Sequence, residues 1–133
     1  MLIIPSRIAG SVLKARKRHG YVCPLCCASH TDELADNEWV ELSLPQRKPL
    51  PICLGCCIDI FNTSRIASFE DHPYFDIVAN AAQFVGMSTD DFRYHCLQEQ
   101  LRIIDSDPTK YTSPENQSVM SHIKDLLASL RST

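Results

Sequence analysis

Apolar positions change their spacing near the middle of this 133-residue chain. In the first half they form short runs broken by prolines. In the second half they recur every three or four residues, the period of a helix with one buried side. Trp39, Val40, Leu42 and Leu44 predict a strand with imperfect alternation. Pro45, Pro49 and Pro51 bracket a turn with Arg47 and Lys48 at its tip, and Leu50, Ile52 and Cys53 form the return strand. Three prolines make this a short, edge-like hairpin. A helix follows from Cys56 to about Ala67, burying Ile58, Phe61 and either Ile60 or the stem of Arg65. Asp71, His72 and Pro73 read as a break.

Residues 74–104 predict two helices. Phe75, Val78, Ala82 and Val85 mark the first, which Gly86 ends. Ser88 caps the second, with Asp91 three residues on, and Phe92, Cys96, Leu97, Leu101 and Ile104 form its apolar side. Residues 105–113 are a polar linker. Ser113-Pro114-Glu115 is a helix start with a cap, a proline in the first position and an acid in the first turn. Val119, Ile123, Leu126 and Leu130 then form a stripe expected to pack within the chain. Upstream, residues 6–18 predict a helix capped by Ser6, with Ile8, Val12 and Ala15 on one side and Gly10 weakening it. The expectation is an α+β chain in three parts. Residues 1–20 are a basic arm, residues 21–67 a compact module and residues 74–131 a helical region.

Charge sharpens that division. Residues 1–22 carry Arg7, Lys14, Arg16, Lys17 and Arg18 with no acid, whereas the whole chain has a net charge of −3. A basic arm on an acidic body suits an anionic partner, and Lys14, Arg16, Lys17 and Arg18 are the candidates for nucleic-acid phosphates. No apolar run approaches ~18 residues, so no membrane-spanning helix is expected. The apolar start Met-Leu-Ile-Ile-Pro has no preceding positive charge, which does not read as a secretory signal, and a cytoplasmic protein is expected.

Seven cysteines without a secretion signal favour thiolate chemistry over a disulfide framework. Four of them form two Cys-x-x-Cys turns, Cys23/Cys26 and Cys53/Cys56, separated by 26 residues. Each turn aims two sulfurs at one point, and two turns complete a tetrahedral shell for one structural Zn²⁺. An iron–sulfur cluster and a redox dithiol are the chemical alternatives, although the redox motif expects a βαβ setting that is missing here. Cys27 and Cys57 each follow a pair and compete with Cys26 and Cys56 as ligands; otherwise they are buried small apolar residues, as Cys96 is expected to be. His19 and His30 lie near the first pair, but four thiolates are the better set.

First pair, hairpin, then a second pair opening a helix is the layout of a treble-clef zinc finger. The run Ile52-Cys53-Leu54-Gly55-Cys56-Cys57-Ile58-Asp59-Ile60-Phe61-Asn62 resembles the second half of the zinc-binding domain at the N-terminus of the ClpX unfoldases. The resemblance covers about residues 21–65. It departs in a longer hairpin, in the absence of a Walker A motif, and in aligning best if Cys57 is the last ligand. In that family the module dimerises and binds adaptors and substrates, so the resemblance implies a protein-interaction surface.

Residues 78–97, with Ala82, Gly86, Phe92 and Cys96 at their spacings, resemble the helix–turn–helix of Fis-type DNA-binding proteins. The physics is a small residue for close approach, a glycine for the turn, and later apolar residues to pack the second helix. The exposed first turn of that helix would be Thr89, Asp90 and Asp91, and its carboxylates oppose phosphates. No catalytic triad, phosphate loop or His-Glu-x-x-His motif is present, and a four-thiolate zinc has no open position to activate water. The functional expectation is a non-enzymatic protein-interaction module of adaptor, inhibitor or immunity type, possible as a homodimer. The alternative is a small zinc-containing regulator that binds DNA or RNA.

Overall fold

The computed structural model describes residues 23–25, 39–66, 75–106 and 113–131. The basic arm, with Lys14, Arg16, Lys17 and Arg18, lies outside the described residues, as do His19, Cys26, Cys27 and His30. Among those described, a β-hairpin is followed by four helices, which makes a small α+β chain. The strands are β1 (Trp39–Leu42) and β2 (Leu50–Cys53); the helices are α1 (Leu54–Ser64), α2 (Phe75–Val85), α3 (Thr89–Ser106) and α4 (Pro114–Arg131). The chain divides into two compact units, and the boundary falls within α1, between Ile58 and Asp59.

In the first unit β1 and β2 pair antiparallel, with Trp39 opposite Cys53 and Glu41 opposite Pro51. Pro51 has no N–H to exchange, so the Glu41–Pro51 pair must be a non-hydrogen-bonded one. Pairs two residues apart share their type, so Cys53 also turns its N–H away from β1. The imperfect alternation has a simple cause. Trp39, Val40, Ile52 and Cys53 are all buried, so both faces of the hairpin are covered and neither needs polar residues. At the tip Gln46 takes a left-handed φ of 57°.

In the second unit α3 packs against both α2 and α4. α2 ends as its glycine predicts. Gly86 has a φ of 74°, its N–H meets the carbonyl of Gln83 at 3.1 Å, and the Met87 N–H meets that of Ala82 at 2.9 Å. These two bonds make a Schellman cap. Gly86→Ala is expected to lose about 1 kcal/mol, because an L side chain is strained at that φ; a thermal midpoint within a degree of the parent would contradict it. Ser88 caps α3 through Oγ, which accepts the Asp91 N–H at 3.1 Å. Ser113 caps α4 in the same way, accepting the Asn116 N–H at 3.2 Å.

Val78, Ala81, Ala82, Phe92, Cys96, Leu97 and Ile123 are at most 2% exposed and form the core of this unit. Ile123 and Leu126 carry the α4 stripe inward, while Val119 and Leu130 are half-buried. Leu101 departs from expectation: it is half-buried, and Gln100 takes the core position. In α1 it is Ile60 and Phe61 that are buried, with Ile58 only partly covered. None of the described helices is long and apolar enough to cross a membrane.

Candidate metal centre

Three of the four predicted thiols meet at one point. The Sγ atoms of Cys23, Cys53 and Cys56 all lie within 4.8 Å of one another. Cys23 and Cys53 are buried and Cys56 is half-buried. The Cys23 and Cys56 sulfurs are 3.8 Å apart, far beyond a disulfide bond. Cys26, the fourth predicted ligand, lies outside the described residues. Cys57, the competitor of Cys56, is buried but is not a member of the cluster.

The chain builds this point from local rules. Cys53 ends β2 and directly precedes α1, so it occupies the cap position of the helix. Its sulfur lies within 4.8 Å of that of Cys56 in the first turn of the helix, on the side where a Ser or Asp oxygen sits in an ordinary cap. Its own N–H, turned away from β1 by the register that Pro51 imposes, donates to Cys23 Sγ at 3.5 Å. The first turn of α1 contains no acidic residue. Thiolates at that end would supply the negative charge that the helix dipole favours there.

As free thiols Cys53 and Cys56 resist ionisation. The hydrogen bond with Cys23, then burial, pushes the Cys53 thiol up to about 11. Cys56 is raised much further, by its hydrogen bonds to Cys23 and Cys53 and then by burial. Burial, then the neighbouring Cys53, pushes Cys57 up to about 12. A divalent cation at the centre removes that conflict, since thiolates are its ligands. The geometry fits one. Zn–S bonds of about 2.3 Å in a tetrahedron place neighbouring sulfurs about 3.8 Å apart, and the observed Cys23–Cys56 separation is 3.8 Å.

The polar groups of the helical unit converge elsewhere, on the C-terminal end of α1. Gln100 is fully buried; its Nε2 donates to the Phe61 carbonyl at 3.3 Å and to Ser64 Oγ at 3.1 Å. Ser64 Oγ donates to the Phe61 carbonyl at 2.9 Å. Arg93 is buried, donating from Nε to the Ser64 carbonyl at 3.0 Å and from Nη2 to that of Ile66 at 2.5 Å. His122 reaches the Arg65 carbonyl with Nε2 at 2.7 Å. Arg65 donates to Gln100 Oε1 and to Asn62 Oδ1, each at 2.5 Å. Burial lowers the pKa of both Arg65 and Arg93. The last turn of α1 contains no basic residue, and Arg93 supplies the positive charge that the dipole favours at that end.

This cluster was not anticipated from sequence, although a signal exists. Arg93, Leu97, Gln100 and Ile104 recur at spacings of four, three and four, which puts two polar residues on an apolar stripe. Such residues are buried when a partner satisfies them, and here the partners are helix-end carbonyls.

No known protein family, curated protein or solved structure matches this chain.

Proposed function

We propose that this chain is a zinc-stabilised protein-interaction module with no catalytic role of its own. Cys23, Cys53 and Cys56 hold one structural Zn²⁺, and Cys26 is the fourth ligand. The observation that carries the metal assignment is the 3.8 Å spacing of the Cys23 and Cys56 sulfurs, the edge of a zinc–thiolate tetrahedron. A hairpin whose last residue caps a helix, with thiols on both, supports the treble-clef reading and the ClpX-like resemblance. Four thiolates leave the ion no open position, so its role is to fasten the hairpin and the start of α1 rather than to activate water. Function then lies on the surfaces so fixed.

Between partner classes, the α2–α3 corner favours protein over nucleic acid. Asp90 and Asp91 are exposed on the first turn of α3, where a DNA-reading helix would meet phosphates. Arg93, the nearest cation on that helix, is buried against carbonyls. The basic arm keeps the nucleic-acid reading testable. It requires salt-dependent DNA or RNA binding that disappears when Lys14, Arg16, Lys17 and Arg18 are neutralised.

The direct test is metal content by elemental mass spectrometry. The parent protein is expected to carry about one zinc per chain, completing the single site. Cys23→Ser, Cys26→Ser, Cys53→Ser and Cys56→Ser are each expected to lose it, and Cys57→Ala to retain it. Iron in place of zinc would transfer the site to a cluster. Retention by Cys56→Ser with loss in Cys57→Ala would move the last ligand to Cys57.

A further inference from the structure

The three described sulfurs of the metal centre differ in exposure. Cys23 is 0% exposed and Cys53 7%, whereas Cys56 is half-buried. Cys56 stands third in α1, directly after Gly55. Gly55 is exposed, and a side-chain carbon there would meet nothing within 4 Å beyond its own turn, so that flank of the helix start is open. Cys56 thus offers its sulfur to small solutes while the other two are covered. A second sulfur stands beside it. Cys23 Sγ is 3.8 Å away, and it accepts the Cys53 N–H at 3.5 Å, which holds it in place. A disulfide needs about 2.05 Å, so bonding the pair draws the two atoms together by about 1.8 Å.

We propose that this centre is a peroxide-responsive switch: a hydroperoxide oxidises Cys56, and a Cys23–Cys56 disulfide then replaces the metal as the tie between Cys23 and α1. The proposal rests on the zinc reading above and adds a regulation to that site. The ionised sulfur that binds a metal is also the nucleophile toward peroxide. Cys56 Sγ attacks one peroxide oxygen. An S–O bond forms, the O–O bond breaks, and hydroxide leaves and takes a proton to become water. The sulfur, now a sulfenic acid, has lost two electrons to the oxygen. Cys23 Sγ then attacks the Cys56 sulfur. The S–S bond forms, the S–O bond breaks, and a second hydroxide leaves as water after protonation. Cys53 and Cys26 remain, too few for a closed shell of four, so the zinc is lost and the two thiolates each take up a proton.

The exchange changes which part of the module is fastened. Cys23 and Cys56 are 33 residues apart, and the whole hairpin lies between them. The disulfide keeps Cys23 bound to the start of α1 and frees Cys53, the last residue of β2. A thiol reductant reverses the bond by thiol–disulfide exchange, and zinc can then return.

The test uses the full chain, with zinc content measured first and hydrogen peroxide then added beside a zinc-indicator dye. Peroxide is expected to release about one zinc per chain, the whole content of the single site. Peptide mass spectrometry is expected to map the new disulfide to Cys23–Cys56. A 1,3-dione present during oxidation should label Cys56, the sulfur that becomes a sulfenic acid. Dithiothreitol with added zinc should restore the loaded protein. Cys57→Ala, whose thiol lies outside the cluster, is expected to respond as the parent does. Zinc kept under peroxide, release without a disulfide, a disulfide mapped to any other pair, or a Cys57→Ala variant that no longer releases its zinc would each overturn the proposal. The first measurement separates the two readings. A chain without zinc before peroxide overturns the metal centre and the switch together; a zinc-loaded chain that resists peroxide overturns the switch alone.

Discussion

Chelation is expected to unfold the hairpin. Its two strands have four residues each, and a lone two-stranded hairpin is marginal in water. Binding of a structural zinc is worth on the order of 10–16 kcal/mol in small zinc modules, comparable to the entire stability of a typical domain. In this protein the centre joins Cys23, the end of β2 and the first turn of α1, so removing the ion releases all three. The thiols left behind are held neutral, and the contacts they keep, such as Cys23 to Cys56 at 3.8 Å and the Cys53 N–H to Cys23 at 3.5 Å, are weak sulfur hydrogen bonds. A strong chelator should therefore abolish slow amide exchange in β1 and β2. The circular-dichroism signal of α2, α3 and α4 should largely persist, because the helical unit has its own buried core. Full hairpin protection in the chelated protein would rule out a structural role for the metal.

Gln100→Leu is expected to destabilise the helical unit by roughly 2–4 kcal/mol, from the loss of buried hydrogen-bond partners. Leucine is close to glutamine in volume, so packing is nearly conserved and the polar network is what changes. The substitution takes a donor from the Phe61 carbonyl and from Ser64 Oγ, and an acceptor from Arg65. Gln100 is fully buried, so water cannot replace those partners without opening the core. Gln100→Glu is the informative companion. It keeps an acceptor for Arg65 but has no N–H for the Phe61 carbonyl, and it should remain well below the parent. Urea melts that left Gln100→Leu within about 0.5 kcal/mol of the parent, the range of an ordinary surface change, would show that the network contributes nothing net.

Much of the secondary structure was legible because it rests on local chemistry. Gly86, Ser88, Ser113 and Pro114 each act within a few residues of their own position, and each marks the boundary that its chemistry predicts. Cys23, Cys53 and Cys56 were legible as candidate ligands for the same reason, since ligand spacing is a short-range property. The exchange of Leu101 for Gln100 in the core was not. A polar side chain on an apolar stripe is favourable only if polar partners lie opposite, and those partners, the Phe61 carbonyl and Ser64 Oγ, belong to a helix 36 to 39 residues earlier. Ile60 and Ile58 differ likewise through tertiary placement, which periodicity in an eleven-residue helix cannot decide. The choice between Cys56 and Cys57 also needed coordinates: both sit in the first turns of α1, and only Cys56 turns its sulfur toward Cys23.

The capping of α1 has a consequence for synthesis. Eleven residues are too few for a helix to persist unaided, and α1 borrows its support at both ends. Its first turn can be secured as soon as Cys56 has left the ribosome. Its last carbonyl, that of Ser64, must wait for Arg93, 29 residues later, and the Arg65 carbonyl just beyond the helix waits 57 residues for His122. A nascent chain halted before Arg93 thus holds an α1 with a finished beginning and an unfinished end. The helix matures in two stages, and translation sets the interval between them.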